Sequence, residues 1–299
     1  MARIIAIANN KGGVGKTTTA ANLAAALRKR GRDVLIIDAD GQANLTAYLG
    51  VSHPAPGCTT FDALKAAVTP FIVPLRVLDA ERTEQGPAGV LDVLPAVSDL
   101  SAVEAGLVTE ADRLTRFRTV ADKYRDRYDC ILIDTPPTVG TLTISALYAA
   151  DAVIIAVQPQ YLAVQGLISL TGVIDTLNAN GAQIEETRVL FTQFDKRKGL
   201  HRLTVEQVEA AGIATYKTRI RDNVALGEAP AVGLDVLRYA PRSNGATDYN
   251  ALADEIQARR PIKHVKHNYK PNKKNHNGKE KHYYSRRAQR IVSRPERNA

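Results

Sequence analysis

Two lysines, Lys11 and Lys16, lie in the stretch N-N-K-G-G-V-G-K-T-T-T at residues 9–19, and their setting narrows what they can do. Gly12, Gly13 and Gly15 carry no Cβ, so the backbone N–H groups around Val14 are free to turn inward and approach anionic oxygens closely. The apolar run Ile4-Ile5-Ala6-Ile7-Ala8 precedes the stretch and an Ala/Leu-rich segment follows it, an order that reads strand, tight loop, helix. The positive end of a helix starting near Lys16 faces the same anion. Lys11, Gly12, Gly13, Val14, Gly15, Lys16, Thr17 and Thr18 therefore read as a phosphate cradle. In it Lys16 reaches the β- and γ-phosphates of a nucleotide, and the Thr17 hydroxyl completes the shell of a Mg²⁺ ion.

Acids in two further places suit the same chemistry. Tyr128-Asp129-Cys130-Ile131-Leu132-Ile133-Asp134 is an apolar strand ending in a carboxylate, followed by Thr135-Pro136-Pro137. After a phosphate cradle this is the Walker B pattern, in which Asp134 holds Mg²⁺, usually through water. Val34-Leu35-Ile36-Ile37 likewise ends in Asp38-Ala39-Asp40, at the carboxyl end of a second strand. In an open α/β sheet that end is the mouth of the ligand crevice. Asp38 is either a site acid or the cap of the turn that follows, and Asp40 either a site acid or a solvated turn residue.

These side chains require a sheet to hold them. Further buried-strand runs fall at 91–94, 152–157 and 188–192, separated by helical segments, and the spacing of βαβ units predicts a doubly wound, mostly parallel twisted sheet with helices on both faces. A helix is expected over 20–30, one or two over 100–128, a short piece over 61–68 and a closing amphipathic helix over 246–260. Residues 51–90 are less regular and show no chemistry. With 299 residues and 44% hydrophobic content, the chain has enough apolar side chains for a full core. No apolar run approaches the ~20 residues of a membrane span and the N-terminus leads straight into a strand, so a cytoplasmic protein is expected. Cys58 and Cys130 suggest no disulfide framework, and Cys130 reads as a small buried thiol.

The common P-loop pattern places Gly six residues before its lysine, where this chain has Asn10 followed by Lys11. K-G-G-V-G-K-T-T resembles the deviant Walker A motif of the ParA/MinD family of P-loop ATPases. G-Q-A-N after Asp40 resembles that family's switch I, with Gly41 where Pro is usual, and D-T-P-P at 134–137 resembles its switch II. T-R-I-R-D-N-V-A leading into L-G-E-A-P, and Y-A-P-R-S-N-G-A at 239–246, resemble segments of the Soj-like ParA branch that MinD proteins and nitrogenase iron proteins lack. The resemblance covers about residues 1–260 and implies an ATPase using ATP and Mg²⁺. It implies that Asp40 orients the attacking water and belongs, with Thr17 and Asp134, to the metal surroundings. It also implies that Lys11 crosses to the partner's nucleotide in an ATP-dependent homodimer. Further implications are non-specific DNA binding, a nucleoid-associated protein, a ParB-type partner that stimulates slow hydrolysis, and a role in plasmid or chromosome partition.

Family members that bind DNA often carry basic residues at the positions of Asp222 and Ala225, so part of that surface is missing here; Arg219 and Arg221 either substitute for it or are plain surface charges. The cluster Lys196-Arg197-Lys198-Gly199-Leu200-His201-Arg202 reads first as a solvated face. The charge of +9 is concentrated at the end: residues 261–299 hold twelve Lys and Arg against two Glu, leaving the first 260 at −1. A domain boundary is expected there, between an ATPase domain at 1–260 and a basic tail at 261–299, poor in large aliphatic residues and expected to be disordered alone. Lys273, Lys274, Arg286 and Arg287 in the tail suit phosphate backbones, and Tyr269, Tyr283 and Tyr284 suit stacking on exposed bases. Three other readings stand beside partition. One is a related ATPase that positions a protein cargo, and another a tyrosine kinase with Tyr283-Tyr284 as a sparse cluster. The last is a MinD-like membrane ATPase, which lacks the amphipathic C-terminal helix it would need.

Overall fold

Laid into strands, the apolar runs send alternate side chains to opposite faces, so each run supplies two cores at once. In the computed structural model, which describes residues 1–65, 71–83, 86–160 and 163–259, the strands are β1 (Arg3–Ala8), β2 (Val34–Asp38), β3 (Leu75–Leu78), β4 (Glu81–Thr83), β5 (Gly86–Ala88), β6 (Leu91–Leu94), β7 (Cys130–Asp134), β8 (Ala152–Val157) and β9 (Glu186–Phe191). Seven of them form one sheet in the order β3-β6-β2-β7-β1-β8-β9, and β4 with β5 makes a separate ribbon. All neighbours in the large sheet are parallel except β3, which runs antiparallel to β6.

One face is covered by α1 (Lys16–Lys29), α2 (Asn44–Tyr48), α10 (Val236–Tyr239) and α11 (Asn244–Arg259). The other face carries α3 (Thr60–Lys65), α4 (Leu100–Leu107), α5 (Arg116–Asp122), α6 (Thr141–Ala149), α7 (Ala163–Ala179) and α8 (Gly199–Ala210). Between α8 and α10 lie α9 (Val224–Glu228) and a 3₁₀ turn (Ala229–Val232). Ile36 and Leu132 point to the first layer, Leu35, Ile37, Ile131 and Ile133 to the second. Arg30 locks the end of α1 to α11 through Asp254 at 2.6 Å and Asn250 at 2.9 Å.

The doubly wound sheet matches the expectation, and the 100–128 region is two helices. Residues 51–90, where the sequence predicts no strand, contribute the edge strand β3, whose alternate polar residue Arg76 pairs with Asp92 on β6. Of the 61–68 piece only 61–65 lies among the described residues, within α3. Asp134 is in register with Asp38 on β2 and with Ile7 on β1, so three chain segments deliver their carboxyl ends side by side. Among the described residues no helix is long and apolar enough to cross a membrane.

Candidate nucleotide and cation site

The loop leaving β1 closes over the start of α1 with Gly13 at φ +73° and Gly15 at φ +86°, left-handed conformations that favour glycine. Lys16, the first residue of α1, is only 7% exposed, and its Nζ donates to the Lys11 carbonyl at 3.2 Å. Burial lowers its pKa, against the pull of Asp134 and Asp40, which raise it. Val14 is buried in the layer over α1, and the Thr18 carbonyl accepts from Asn22 at 2.7 Å. Gly12 lies against Pro137 of the D-T-P-P segment.

Thr17 Oγ1 donates to Asp134 Oδ2 at 2.7 Å, while Asp134 Oδ1 is buried without a hydrogen-bond partner. Burial pushes the Asp134 pKa well up, Asp38 adding to the rise. Such an oxygen is costly unless a ligand completes it, and a hydroxyl with an unpartnered carboxylate oxygen suits a hard divalent cation. Among the described residues no group of three or more His, Cys, Asp or Glu is arranged to hold a metal ion by itself. A cation here would draw further oxygens from its phosphate ligand.

Asp38, its neighbour in register, is fully engaged. Its Oδ2 accepts from Thr46 N at 2.9 Å and Thr46 Oγ1 at 2.7 Å, and its Oδ1 from Asp40 N at 3.1 Å. Burial brings its pKa up to about 6 despite the Thr46 bonds that oppose the rise. Asp38 thus ties down the turn that presents Asp40, whose Oδ1 accepts from Gln42 N at 2.9 Å. At Gly41 a Cβ would lie 2.7 Å from Ser101 Oγ, which rotation of that side chain relieves, and 3.4 Å from the Ser101 nitrogen, so the space alone does not demand glycine there.

Lys11 is exposed at the rim. Its backbone nitrogen donates to Asn9 at 3.0 Å and its ammonium lies on Gln160 of its own chain. A cavity of about 290 Å³ beside it is lined by Val14, Val157, Ala163 and Leu167. A second cleft, of about 470 Å³, opens between the α1 N-terminus and residues 220–228, with Thr18, Thr192, Gln193, Asn223 and Tyr249 in its wall. Thr192 and Gln193, beyond β9, also touch the loop: Thr192 Oγ1 donates to the Val14 carbonyl at 2.7 Å and Gln193 Nε2 to the Gly13 carbonyl at 2.8 Å. Thr192 and Gln193 do not stand out in the sequence, and the 220–228 side of the cleft is read there only as a Soj-like segment, for both lie far from the loop along the chain.

The two arginines differ. Arg221 makes a forked pair with Asp248, its Nη2 2.6 Å from Oδ1. Arg219 lies over the Phe194 ring, 4.8 Å from its centroid and 3.9 Å from Glu209. Phe194 in turn packs on His201 of the basic cluster, in which Lys196, Lys198 and Arg202 are exposed. Lys273, Lys274, Arg286 and Arg287, with the whole 261–299 tail, lie outside the described residues.

The AAA domain family matches residues 2–186. The chain is 38% identical over 263 residues to the sporulation initiation inhibitor protein Soj of Bacillus subtilis, covering 86% of this chain and 99% of that one. It is 38% identical over 261 residues to the chromosome partitioning protein ParA of Caulobacter vibrioides (strain NA1000 / CB15N), covering 86% and 94%. The solved structure of a cobyrinic acid a,c-diamide synthase from Mycobacterium smegmatis with bound ADP and magnesium superimposes with a TM-score of 0.68 at 30% identity, covering 85% of this chain and 93% of that one. With a P-loop, a strand-end aspartate and a doubly wound sheet, and with these relatives matched over most of its length, the chain belongs to the Soj/ParA family of P-loop ATPases.

Proposed function

We propose that this chain binds ATP with Mg²⁺, dimerises on it, binds DNA without sequence preference and partitions plasmid or chromosomal DNA with a ParB-type partner that stimulates its slow hydrolysis. The observation that carries the nucleotide reading is Asp134: one oxygen on the Thr17 hydroxyl, the other buried and unpartnered beneath the loop that bears Lys16. The cradle of residues 11–18 holds the phosphates, and the Lys16 ammonium leaves the Lys11 carbonyl for them. Thr17 and Asp134 hold Mg²⁺, with Asp40 close by, and the cation supplies neutralisation of phosphate charge when bound. Positioning and charge dominate phosphoryl transfer. Asp40 orients the attacking water, and Lys11, exposed at the rim, exchanges Gln160 for the partner subunit's nucleotide. The cleft walled by Asn223 and Tyr249 has the size of a nucleoside site and takes the base. The partition reading is supported by near full-length relatives at 38% identity, above the 30% of the diamide synthase.

The DNA surface in this reading is Arg219 with the exposed cations at the start of α8. Arg221 contributes less, because Asp248 already matches its charge. The chain divides into an ATPase domain at 1–260 and a basic tail at 261–299, in which Lys273, Lys274, Arg286 and Arg287 bind further phosphates. A gel shift on random duplex DNA with ATP, ADP and no nucleotide, paired with gel filtration, tests this. An ATP-dependent dimer that alone shifts DNA is expected; ATP-independent binding by a monomer would overturn it. Deleting 261–299 should flatten the salt dependence, by about 0.9 in log-log slope for each phosphate that the tail neutralises.

A further inference from the structure

Thr192 and Gln193 reach the phosphate loop from the end of β9, far away in sequence, and both touch it through its carbonyl oxygens. Thr192 is buried, held from behind by its own N–H on the Val157 carbonyl at 2.9 Å, and its methyl lies 3.6 Å from where a Gly15 Cβ would be. Gln193 stands at φ +49°, a left-handed conformation that is unfavourable for a residue other than glycine and persists where surrounding contacts impose it. The neighbouring Phe194 N–H on the Ile220 carbonyl, at 2.9 Å, and the Gln193 amide on Gly13 are such contacts.

A trans peptide unit is planar, with its carbonyl and the following N–H on opposite sides. Fixing the Gly13 carbonyl on Gln193 therefore sends the Val14 N–H to the side of the loop away from Gln193. Fixing the Val14 carbonyl on Thr192 likewise sends the Gly15 N–H to the side away from Thr192. We infer that Thr192 and Gln193 are positioning residues for phosphate binding, setting two loop amides toward the anion before it arrives. This rests on the nucleotide reading above. Without the two donors the loop amides sample other orientations, and binding must bear the cost of ordering them.

The variants Thr192→Val and Gln193→Met keep shape and remove the donors; Thr192→Ser keeps the hydroxyl. Affinity for ATP and for tripolyphosphate, which has no base, should fall together by about five- to tenfold in each of the first two variants, the scale of one net hydrogen bond. The third should stay within about twofold of the unmutated chain. The Michaelis constant for ATP should rise while turnover at saturation changes little, the pattern of lost uniform binding. Gln193→Met, at a half-exposed position, keeps the test decisive if Thr192→Val does not fold. Unmutated protein that binds neither probe would overturn the nucleotide reading along with this one. Binding by the unmutated protein with undiminished affinity for tripolyphosphate in both donor-less variants would overturn the positioning role alone.

Discussion

Asp38 and Asp134 end neighbouring strands, face each other in register and are both buried, yet their oxygens are spent differently. Asp38 accepts three hydrogen bonds, one from Asp40 and two from Thr46 on α2, and Asp134 accepts one from Thr17 and keeps an oxygen empty. A buried carboxylate that the fold satisfies is an anchor, and one the fold leaves incomplete is a place for a ligand. The hydrogen bonds of each group, more than its burial or raised pKa, separate the two roles.

The largest expected effect follows from removing the incomplete acid. Asp134→Asn should cut Mg²⁺-dependent ATP affinity by roughly 100-fold, since an amide is a poor ligand for a hard cation and the loss corresponds to about 2.7 kcal/mol. Stability without nucleotide should not fall, because the change removes a buried charge. A fluorescent-nucleotide titration with and without Mg²⁺, beside a urea melt, checks both halves; a destabilised variant that binds normally would invert the comparison. Asp40→Ala, which removes the acid that Asp38 holds in place, should bind ATP and dimerise but turn over more slowly, by about 10²-fold on the scale of a proton- or water-handling group. Unchanged turnover would remove Asp40 from the chemistry.

How much of this is legible in the sequence depends on distance along the chain. The cradle and the strand ending in Asp134 can be read directly because each is one contiguous segment with its own periodicity. The division of labour between Asp38 and Asp40 stays open in the sequence, since it depends on Thr46, whose hydroxyl also bonds Ala96 near the end of β6. Thr192 and Gln193 give no signal, because a threonine and a glutamine after a strand have no pattern until the fold sets them against Gly13 and Val14. Strand β3 escapes a reading by pattern because Arg76 and its neighbours lack a continuous apolar run, and its partner Asp92 lies sixteen residues on.

Removing the satisfied acid should produce the opposite signature. In Asp38→Asn the amide nitrogen cannot accept, so at least one donor among Thr46 N, Thr46 Oγ1 and Asp40 N is left without an acceptor. Bonds to a charged group contribute about 1.5–3 kcal/mol, and a destabilisation of that size is expected in urea unfolding. ATP affinity should change by about threefold or less, because no phosphate or cation contact is assigned to Asp38. Loss of affinity comparable to that of Asp134→Asn would place both acids in the ligand site.

The smallest effect isolates the anchor without touching a charge. Thr46 Oγ1 donates to Asp38 at 2.7 Å and accepts from the Ala96 nitrogen at 2.9 Å, joining the end of β2 and α2 to the segment after β6. Thr46→Val fills the same volume but deletes both bonds and leaves the buried Ala96 N–H without its acceptor, so a loss of about 1–3 kcal/mol is expected. Thr46→Ser restores both bonds and gives up one buried methyl group, for about 1 kcal/mol. Serine should therefore be the milder change even though valine preserves more apolar surface. If urea unfolding showed valine as stable as threonine, the Asp38 cluster would contribute nothing as an anchor, and the contrast with Asp134 would reduce to burial alone.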